Sequence, residues 1–400
     1  MQLIRESKPV SVQLSRSLTK TIKQGHAWVY ADSLRNLPEV EPGTPAILLD
    51  NRGGKETARG YLDSTGPIAL RICSTHPGQR LTTSWAERLM RRAISLRSSL
   101  FAPFNSTNAY RLFNGEGDGL PGLVCDIYGD SAVLVTDGVA PQGFWQVENI
   151  AKWLVRELKI TSVFHQSRVD HHAQTTQILG ATTDPTIIFM ENGLTFSANP
   201  ISGQKTGFFL DQRDNREFMK GLSSGKRLLN LFGYTGGFSV YAGVGGADHV
   251  TTLDISETAL EQAHLHWQYN QLPEGHHTTI CADAFEHLSQ AAQAGNRWDL
   301  VILDPPSFAP SEASVPQAVR AYTRLVTLGA QVISPSGLLA AASCSSHIRS
   351  EQFLDIVSMS ISSARRKASI LGILGQPPDH PYPLAMPELR YLKFVVMQLD

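Results

Sequence analysis

Leu228-Leu229-Asn230-Leu231-Phe232-Gly233-Tyr234-Thr235-Gly236-Gly237-Phe238 reads as a buried strand running into a glycine-containing turn that opens a helix. Glycines let backbone come close to a ligand, and open α/β sheets bind ligands at the carboxyl ends of their strands. The next strand ends in Leu253-Asp254-Ile255, where a carboxylate can accept hydrogen bonds from both ribose hydroxyls of an adenosine. Outward from this stretch the alternation continues. Strands are predicted at Arg227–Phe232, His249–Leu253, Asp299–Leu303 and Gly337–Ser343, with helices at 237–245, 256–270, 284–294 and 313–333. Regular alternation with apolar strands predicts an α/β fold with a doubly wound parallel sheet.

Upstream the texture differs. Residues 1–75 read as short strands broken by Gly and Pro, including Val10–Leu14, Ala46–Asp50 and Ile68–Cys73, with a hairpin turn at Asn51-Arg52-Gly53-Gly54. A helix follows over 82–104, then the loop Asn114–Gly122, strands near 122–127 and 131–136, a helix near 143–157 and a strand near 161–166. This predicts a small β-rich domain over 1–75, a central α+β domain over 76–195 and the α/β domain over 196–400.

Composition narrows the function classes. The 400 residues are 42% hydrophobic and 18% charged, enough for real cores, and 35 Lys plus Arg against 36 Asp plus Glu leave a net charge of −1. A nucleic-acid surface must therefore come from local clustering. Two clusters qualify: Arg5, Lys8, Arg16, Lys20, Lys23 and Arg35 near the start, and Arg88, Arg91, Arg92 and Arg97 on the first long helix. For the helix, the alternative is an amphipathic element showing its arginines to water. Cysteines at 73, 125, 281 and 344 form no CxxC pair, which argues against a disulfide scaffold or structural zinc. His171-His172 and His276-His277 lack ligand spacing and are expected on surface loops, with no metal. Without a signal peptide or a long apolar run, the expected location is the cytoplasm, with no membrane association.

The cofactor choice turns on what is absent and on two later motifs. No strict G-x-G-x-x-G and no phosphate-binding G-x-x-x-x-G-K-[ST] occurs; Gly203-Gln204-Lys205-Thr206-Gly207 only resembles the tail of the latter. Asp283-Ala284-Phe285 follows a short strand and could set a carboxylate beside an adenine amino group. Val301-Ile302-Leu303-Asp304-Pro305-Pro306-Ser307-Phe308 ends a buried strand in a proline-stiffened turn, a signature of base-modifying methyltransferases. Ala341-Ala342-Ser343-Cys344-Ser345-Ser346-His347 closes the following strand, so Cys344 should lie beside Asp304. A cysteine there suits attack at C6 of a pyrimidine, making C5 nucleophilic toward the sulfonium methyl of S-adenosyl-L-methionine. Asp304 could stabilise the charge that builds at N3 or N4 of cytosine. Cys73, Cys125 and Cys281 read as small buried hydrophobes. Asp304 could instead cap its loop, Asp254 could be the helix N-cap before Ser256, and Arg213 and Arg216 could pair with Asp211 and Asp214 on a solvated turn.

With these motifs in place the chain resembles the bacterial class I S-adenosylmethionine-dependent methyltransferases that act on C5 of cytosine in large-subunit ribosomal RNA. Those proteins carry an N-terminal PUA domain, a central α+β domain and a C-terminal Rossmann-like methyltransferase domain. Gly25-His26-Ala27-Trp28-Val29-Tyr30 is similar to the PUA signature, where Pro is usual in place of Ala27. Glu116–Gly122 and Lys205–Arg216 are similar to the central and pre-catalytic signatures, and Asn230–Phe238, Asp304–Phe308 and Ser343–Ser345 to the methyltransferase motifs. Many relatives have Lys or Arg where Ser307 stands. The resemblance implies that Phe232, Tyr234, Thr235, Gly236 and Asp254 bind the cofactor and that Asp283 holds its adenine. It further implies that Phe208, Asp211 and Arg213 close over the cofactor or position the base, while Asp304 contacts the target base and Cys344 attacks it.

The partner implied is large-subunit ribosomal RNA, free or in assembling subunits, and some PUA-containing relatives form homodimers. Two other readings stay open at this point. One is methylation of a guanine nitrogen by the same fold without a covalent adduct. The other is a non-catalytic RNA-binding or ribosome-assembly factor that keeps the cofactor pocket.

Overall fold

A computed structural model describes the chain except Asn36, Thr65, Asp170, His171, Ala181–Asp184 and Gln204, so the expectation for His171 and the Gln204 position of the phosphate-loop look-alike lie outside the described residues. Packing divides the chain into two compact units. The first holds 1–193, 197–210 and 378–387; the second holds 194–196, 211–377 and 388–400.

In the first unit, a six-stranded sheet is built from Val10–Leu14, Trp28–Tyr30, Leu34–Arg35, Pro45–Leu49, Glu56–Leu62 and Ile68–Ser74. Alternation puts Val12, Leu14, Val29, Leu48 and Leu70 into its core. A five-stranded sheet follows, its strands including Ala109–Asn114, Leu123–Tyr128 and Ser131–Thr136. The helix Thr83–Phe101 starts where the Thr82 hydroxyl accepts from the Trp85 amide at 3.3 Å.

That helix corrects one expectation. Arg97 is 1% exposed and donates to both Asp118 oxygens at 2.7 and 2.8 Å and to the carbonyls of Arg111 and Asp379, each at 2.7 Å. Arg91 is paired with Glu157, and Arg92 donates to the Asp118 carbonyl at 3.3 Å. The arginines at 91, 92 and 97 thus bind the protein itself. Burial of Arg97 is tolerated because each guanidinium edge meets an acceptor.

The Glu116–Gly122 motif is the hub of this lock. Glu116 accepts from Trp28 Nε1 at 2.7 Å and from Arg71 at 3.0 Å, and Asp118 also accepts from the Asn114 amide at 2.7 Å. At Gly117 a Cβ would lie 1.8 Å from the Pro381 carbonyl oxygen, so only glycine fits. Gly117→Ala is expected to cost about 1–3 kcal/mol in chemical denaturation, the usual range for overpacking a tight site; an unchanged midpoint would mean this approach is absent in solution.

The second unit is a mixed sheet between helices. We label its strands β1 (Arg227–Leu231), β2 (His249–Asp254), β3 (His277–Cys281), β4 (Trp298–Leu303), β5 (Ile333–Ser343), β6 (Ala368–Leu374) and β7 (Lys393–Leu399). Its helices are α1 (Arg213–Lys220), α2 (Gly237–Val244), α3 (Glu257–Tyr269), α4 (Ala284–Gln293), α5 (Val315–Gln331) and α6 (Ser350–Ser363). The order is β3-β2-β1-β4-β5-β7-β6. Pairings from β3 through β5 are all parallel, whereas β7 runs antiparallel to both β5 and β6. The expected sheet is therefore present with an antiparallel pair added at its C-terminal edge. Leu229, Leu231, Val301, Leu303, Leu339 and Ala341 fill one face's core, and Leu228, Leu300, Ile302, Leu338 and Ala340 the other's. Two buried faces explain why these strands are continuously apolar.

Candidate active site and family

Because β3, β2, β1, β4 and β5 are parallel, their carboxyl ends meet along one edge of the sheet. Strand order reverses between β1 and β4, and that crevice is where open α/β sheets take ligands. The β1–α2 turn is wound tightly there. Phe232, Tyr234 and Gly236 have φ of 56°, 46° and 76°. Two aromatic residues in the left-handed region are sterically costly, and such strain concentrates at binding sites. Three contacts hold the turn in place. The Gly233 amide donates to the Leu253 carbonyl at 2.9 Å, the Tyr234 amide to Asp254 Oδ2 at 2.9 Å, and His266 Nδ1 meets the Thr235 carbonyl at 2.7 Å. At Gly236 a Cβ would meet the Ala263 Cβ at 2.7 Å, so α3 sits directly against the turn.

Asp254 is not the N-cap. Ser256 caps α3 by accepting from Ala259, and Asp254 Oδ1 accepts from the Ser256 amide at 3.0 Å. Each oxygen of Asp254 thus accepts one backbone N–H, and a carboxylate has further lone pairs for ribose hydroxyls. Beside it Ile255 is 77% exposed, an apolar platform at the sheet edge that the sequence reading passed over. Asp283 does cap a helix: Oδ1 accepts from the Glu286 amide at 2.9 Å at the start of α4. Its side chain is exposed, as an adenine contact requires. A tight glycine turn, an anchored carboxylate, an exposed isoleucine and a second carboxylate after the neighbouring strand fit an adenosyl group.

His266 was missed by the sequence reading. It is fully buried in α3, and its loss would orphan the Thr235 carbonyl, a penalty of about 1–3 kcal/mol for a buried group. His266→Ala is expected to weaken cofactor binding about tenfold by calorimetry; an unchanged Kd would mean the turn holds its shape without it.

At the reversal point, Asp304 and Cys344 stand at the ends of neighbouring strands, β4 and β5, which pair Leu303 with Ala341. Ser345 ties the two turns: its hydroxyl lies 3.0 Å from Ser307 Oγ and accepts from the Ala309 amide at 3.3 Å. Tyr322 of α5 reaches the same hydroxyl at 3.1 Å, and burial raises its phenol above the usual range. Asp304 is held by Gln212, whose Nε2 donates to Oδ1 at 2.9 Å and whose Oε1 accepts from Asn215 at 2.5 Å. Asp211 Oδ2 accepts from the Tyr391 hydroxyl at 2.8 Å. Neither Gln212 nor Tyr391 stood among the expected site residues.

Other expectations change. Asp211, Arg213 and Arg216 are 4%, 2% and 2% exposed, so these three are buried and not on a solvated turn, although Arg213 does pair with the exposed Asp214 at 3.4 Å. Phe208 belongs to the first unit, with its ring 5.2 Å from Phe189 and its carbonyl accepting from Tyr128, and is not among the residues the second unit gathers. Cys281 is exposed, not buried. His277 starts β3, half-buried, stacked on Trp267 at 4.5 Å and bonded to Thr252; burial lowers it to about 4. Only His276 of that pair is on an exposed turn. Among the described residues no group of three or more His, Cys, Asp or Glu could hold a metal, and no helix is long and apolar enough to cross a membrane.

Comparison with known proteins decides the family. Residues 144–389 match the S-adenosylmethionine-dependent methyltransferase family, and residues 12–75 match the PUA-like domain. The chain belongs to the S-adenosylmethionine-dependent methyltransferases. It is 37% identical to the ribosomal RNA large subunit methyltransferase of Deinococcus radiodurans across 97% of each chain. With ribosomal RNA large subunit methyltransferase I of Aeromonas salmonicida it shares 32% identity over 97% of this chain and 99% of that one. This methyltransferase therefore falls in the large-subunit ribosomal RNA methyltransferase family. In fold it is similar to a candidate SAM-dependent methyltransferase from Streptococcus mutans (TM-score 0.85, 22% identity, 97% of this chain and 100% of that one). A second methyltransferase of the same fold, solved with SAH, superposes at TM-score 0.84 and 23% identity over 98% of this chain and 100% of that one. Its cofactor is S-adenosylmethionine, as the family requires.

Proposed function

We propose that this methyltransferase acts in the cytoplasm on large-subunit ribosomal RNA and methylates C5 of a cytidine through a covalent adduct on Cys344. The observation that carries the reading is the placement of Cys344 and Asp304 at adjacent strand ends beside the cofactor turn. Phe232, Tyr234, Thr235 and Gly236 shape the turn against the bound methionine and ribose, Asp254 takes the ribose hydroxyls, and Asp283 faces the adenine. Bound S-adenosylmethionine supplies an electrophilic methyl sulfonium.

The chain's own residues then act in order. The Cys344 sulfur attacks C6, the new S–C6 bond displaces the C5–C6 π pair, and a proton donated by Asp304 to N3 neutralises the charge this builds on the ring. C5 takes the methyl group, the broken C–S pair staying on the cofactor sulfur; C5 then yields its proton to water, and the returning electron pair expels the Cys344 thiolate as N3 gives its proton back to Asp304. Gln212 keeps Asp304 oriented, while Asp211 and Arg213 form the wall next to it.

The target base must be unstacked to reach this edge. Phosphates are held by the PUA-like residues 1–75, where Lys8, Lys20, Lys23 and Arg35 are exposed, and by Arg88 of the long helix. The test is incubation with tritiated S-adenosylmethionine and unmodified large-subunit RNA, free and as subunits, followed by nucleoside mass spectrometry. Label in 5-methylcytidine is expected. Label in a guanosine would remove Cys344 from the chemistry, and none in any RNA would favour an assembly factor.

A further inference from the structure

We propose that Lys393 is the counter-ion that holds Cys344 as a thiolate, a positioning residue for the nucleophile rather than a group that touches substrate. The proposal rests on the reading of Cys344 given above only for its use in catalysis; the ion pair itself can be tested separately.

Lys393 opens β7 and pairs in register with Ser343, one residue before Cys344. It is 4% exposed, and its Nζ donates to the carbonyls of Ser345 and Tyr391, each at 2.7 Å. Those bonds bring the ammonium to the Ser343–Ser345 turn, with a third N–H left over from the two carbonyls. Among the described residues Lys393 joins no carboxylate in an ion pair. A buried charge without a counter-charge is expensive, so something must balance it.

The group that can do so is the Cys344 sulfur, in the turn whose Ser345 carbonyl the ammonium holds. Burial lowers Lys393 to about 8, the charge of Cys344 pulls it back up, and Arg390 pushes it down. At pH 7 the amine is therefore mostly ammonium even in this dry setting. The Tyr322 phenol from α5 also acts on Cys344, and Asp211 lies one hydrogen bond beyond Tyr391. The protonation balance is simple. The neutral pair, thiol and amine, differs from the ion pair only by one proton moved from Sγ to Nζ, so no outside acid or base is needed. Thiolate is the attacking form and also the leaving form, so one ammonium serves both ends of the cycle.

A purely structural role, two carbonyl bonds fastening β7 to the turn after β5, predicts no effect on the sulfur. The experiment measures alkylation of Cys344 by iodoacetamide against pH in the full-length protein, read peptide by peptide by mass spectrometry, with exposed Cys281 as internal control. In the wild type, half-maximal alkylation is expected at least one pH unit below the ordinary thiol value of about 8.5. Lys393→Met is expected to move it up by a unit or more and cut the rate at pH 7 about tenfold, with Cys281 unchanged. Lys393→Arg keeps a cation and is expected to restore most of the shift.

An ordinary profile in the wild type overturns the proposal, and that measurement stands even if K393M fails to fold. A folded K393M with the wild-type profile overturns it too. The two readings fail separately. If Cys344→Ala kills methyl transfer while K393M leaves the sulfur unchanged, the nucleophile survives and the ion pair falls. If K393M shifts the sulfur while C344A stays active, the ion pair stands and the adduct mechanism falls.

Discussion

Cys344→Ala is expected to lower methyl transfer to ribosomal RNA at least about a thousandfold, with cofactor affinity unchanged within roughly twofold. The asymmetry follows from position. Cys344 ends β5, whereas the cofactor turn and Asp254 belong to β1 and β2, two and three strands across the sheet. Without the sulfur there is no addition at C6, and C5 of an intact cytosine is too poor a nucleophile. RNA carrying 5-fluorocytosine supplies the positive control, because fluorine at C5 cannot leave as a proton and the adduct persists. Wild type should shift to a covalent protein–RNA band on a denaturing gel and C344A should not. Retained methyl transfer by C344A would sink the covalent mechanism and point to a guanine nitrogen.

The second large effect is on stability. Asp118→Ala should destabilise the first unit by about 3–5 kcal/mol, the cost of stranding a buried charge. Arg97 would keep two carbonyl partners but lose both carboxylate bonds, and the Asn114 amide would lose its acceptor. Domains are stable by only about 5–15 kcal/mol, so a loss of that size should lower the melting transition by roughly 10 °C. Arg97→Met combined with Asp118→Leu should recover much of the loss, since an apolar replacement of similar volume removes the stranded charge. A change under about 1 kcal/mol for D118A would mean that water reaches this pair.

These predictions draw unequally on what was legible in the sequence. Phe232, Asp254, Asp304 and Cys344 were legible as an edge because each follows a largely apolar run that reads as a buried parallel strand, and parallel strands bring their carboxyl ends together; Asp283 follows the short, mostly exposed β3. What supports that edge was not. Gln212 reaches Asp304 across 92 residues and Tyr391 reaches Asp211 across 180, contacts made by packing with no local pattern. Arg97 misled for the opposite reason: arginine on an amphipathic helix usually faces water, and its carboxylate partner lies 21 residues away in a loop. The antiparallel β6–β7 pair escaped because nothing in Ala368–Leu374 separates an edge strand from a buried parallel one.

The contact between Arg97 and the Asp379 carbonyl has a consequence for synthesis. The two residues are 282 positions apart, and Asp379 also accepts the Arg111 amide at 2.9 Å. A ribosome therefore releases the whole N-terminal half, and nearly all of the methyltransferase sheet, before the residue arrives that completes the first unit's buried guanidinium site. Until then the nascent chain carries an unfinished core. The N-terminal unit therefore cannot complete this site ahead of the methyltransferase sheet, and its final closure is a late event in the life of each molecule.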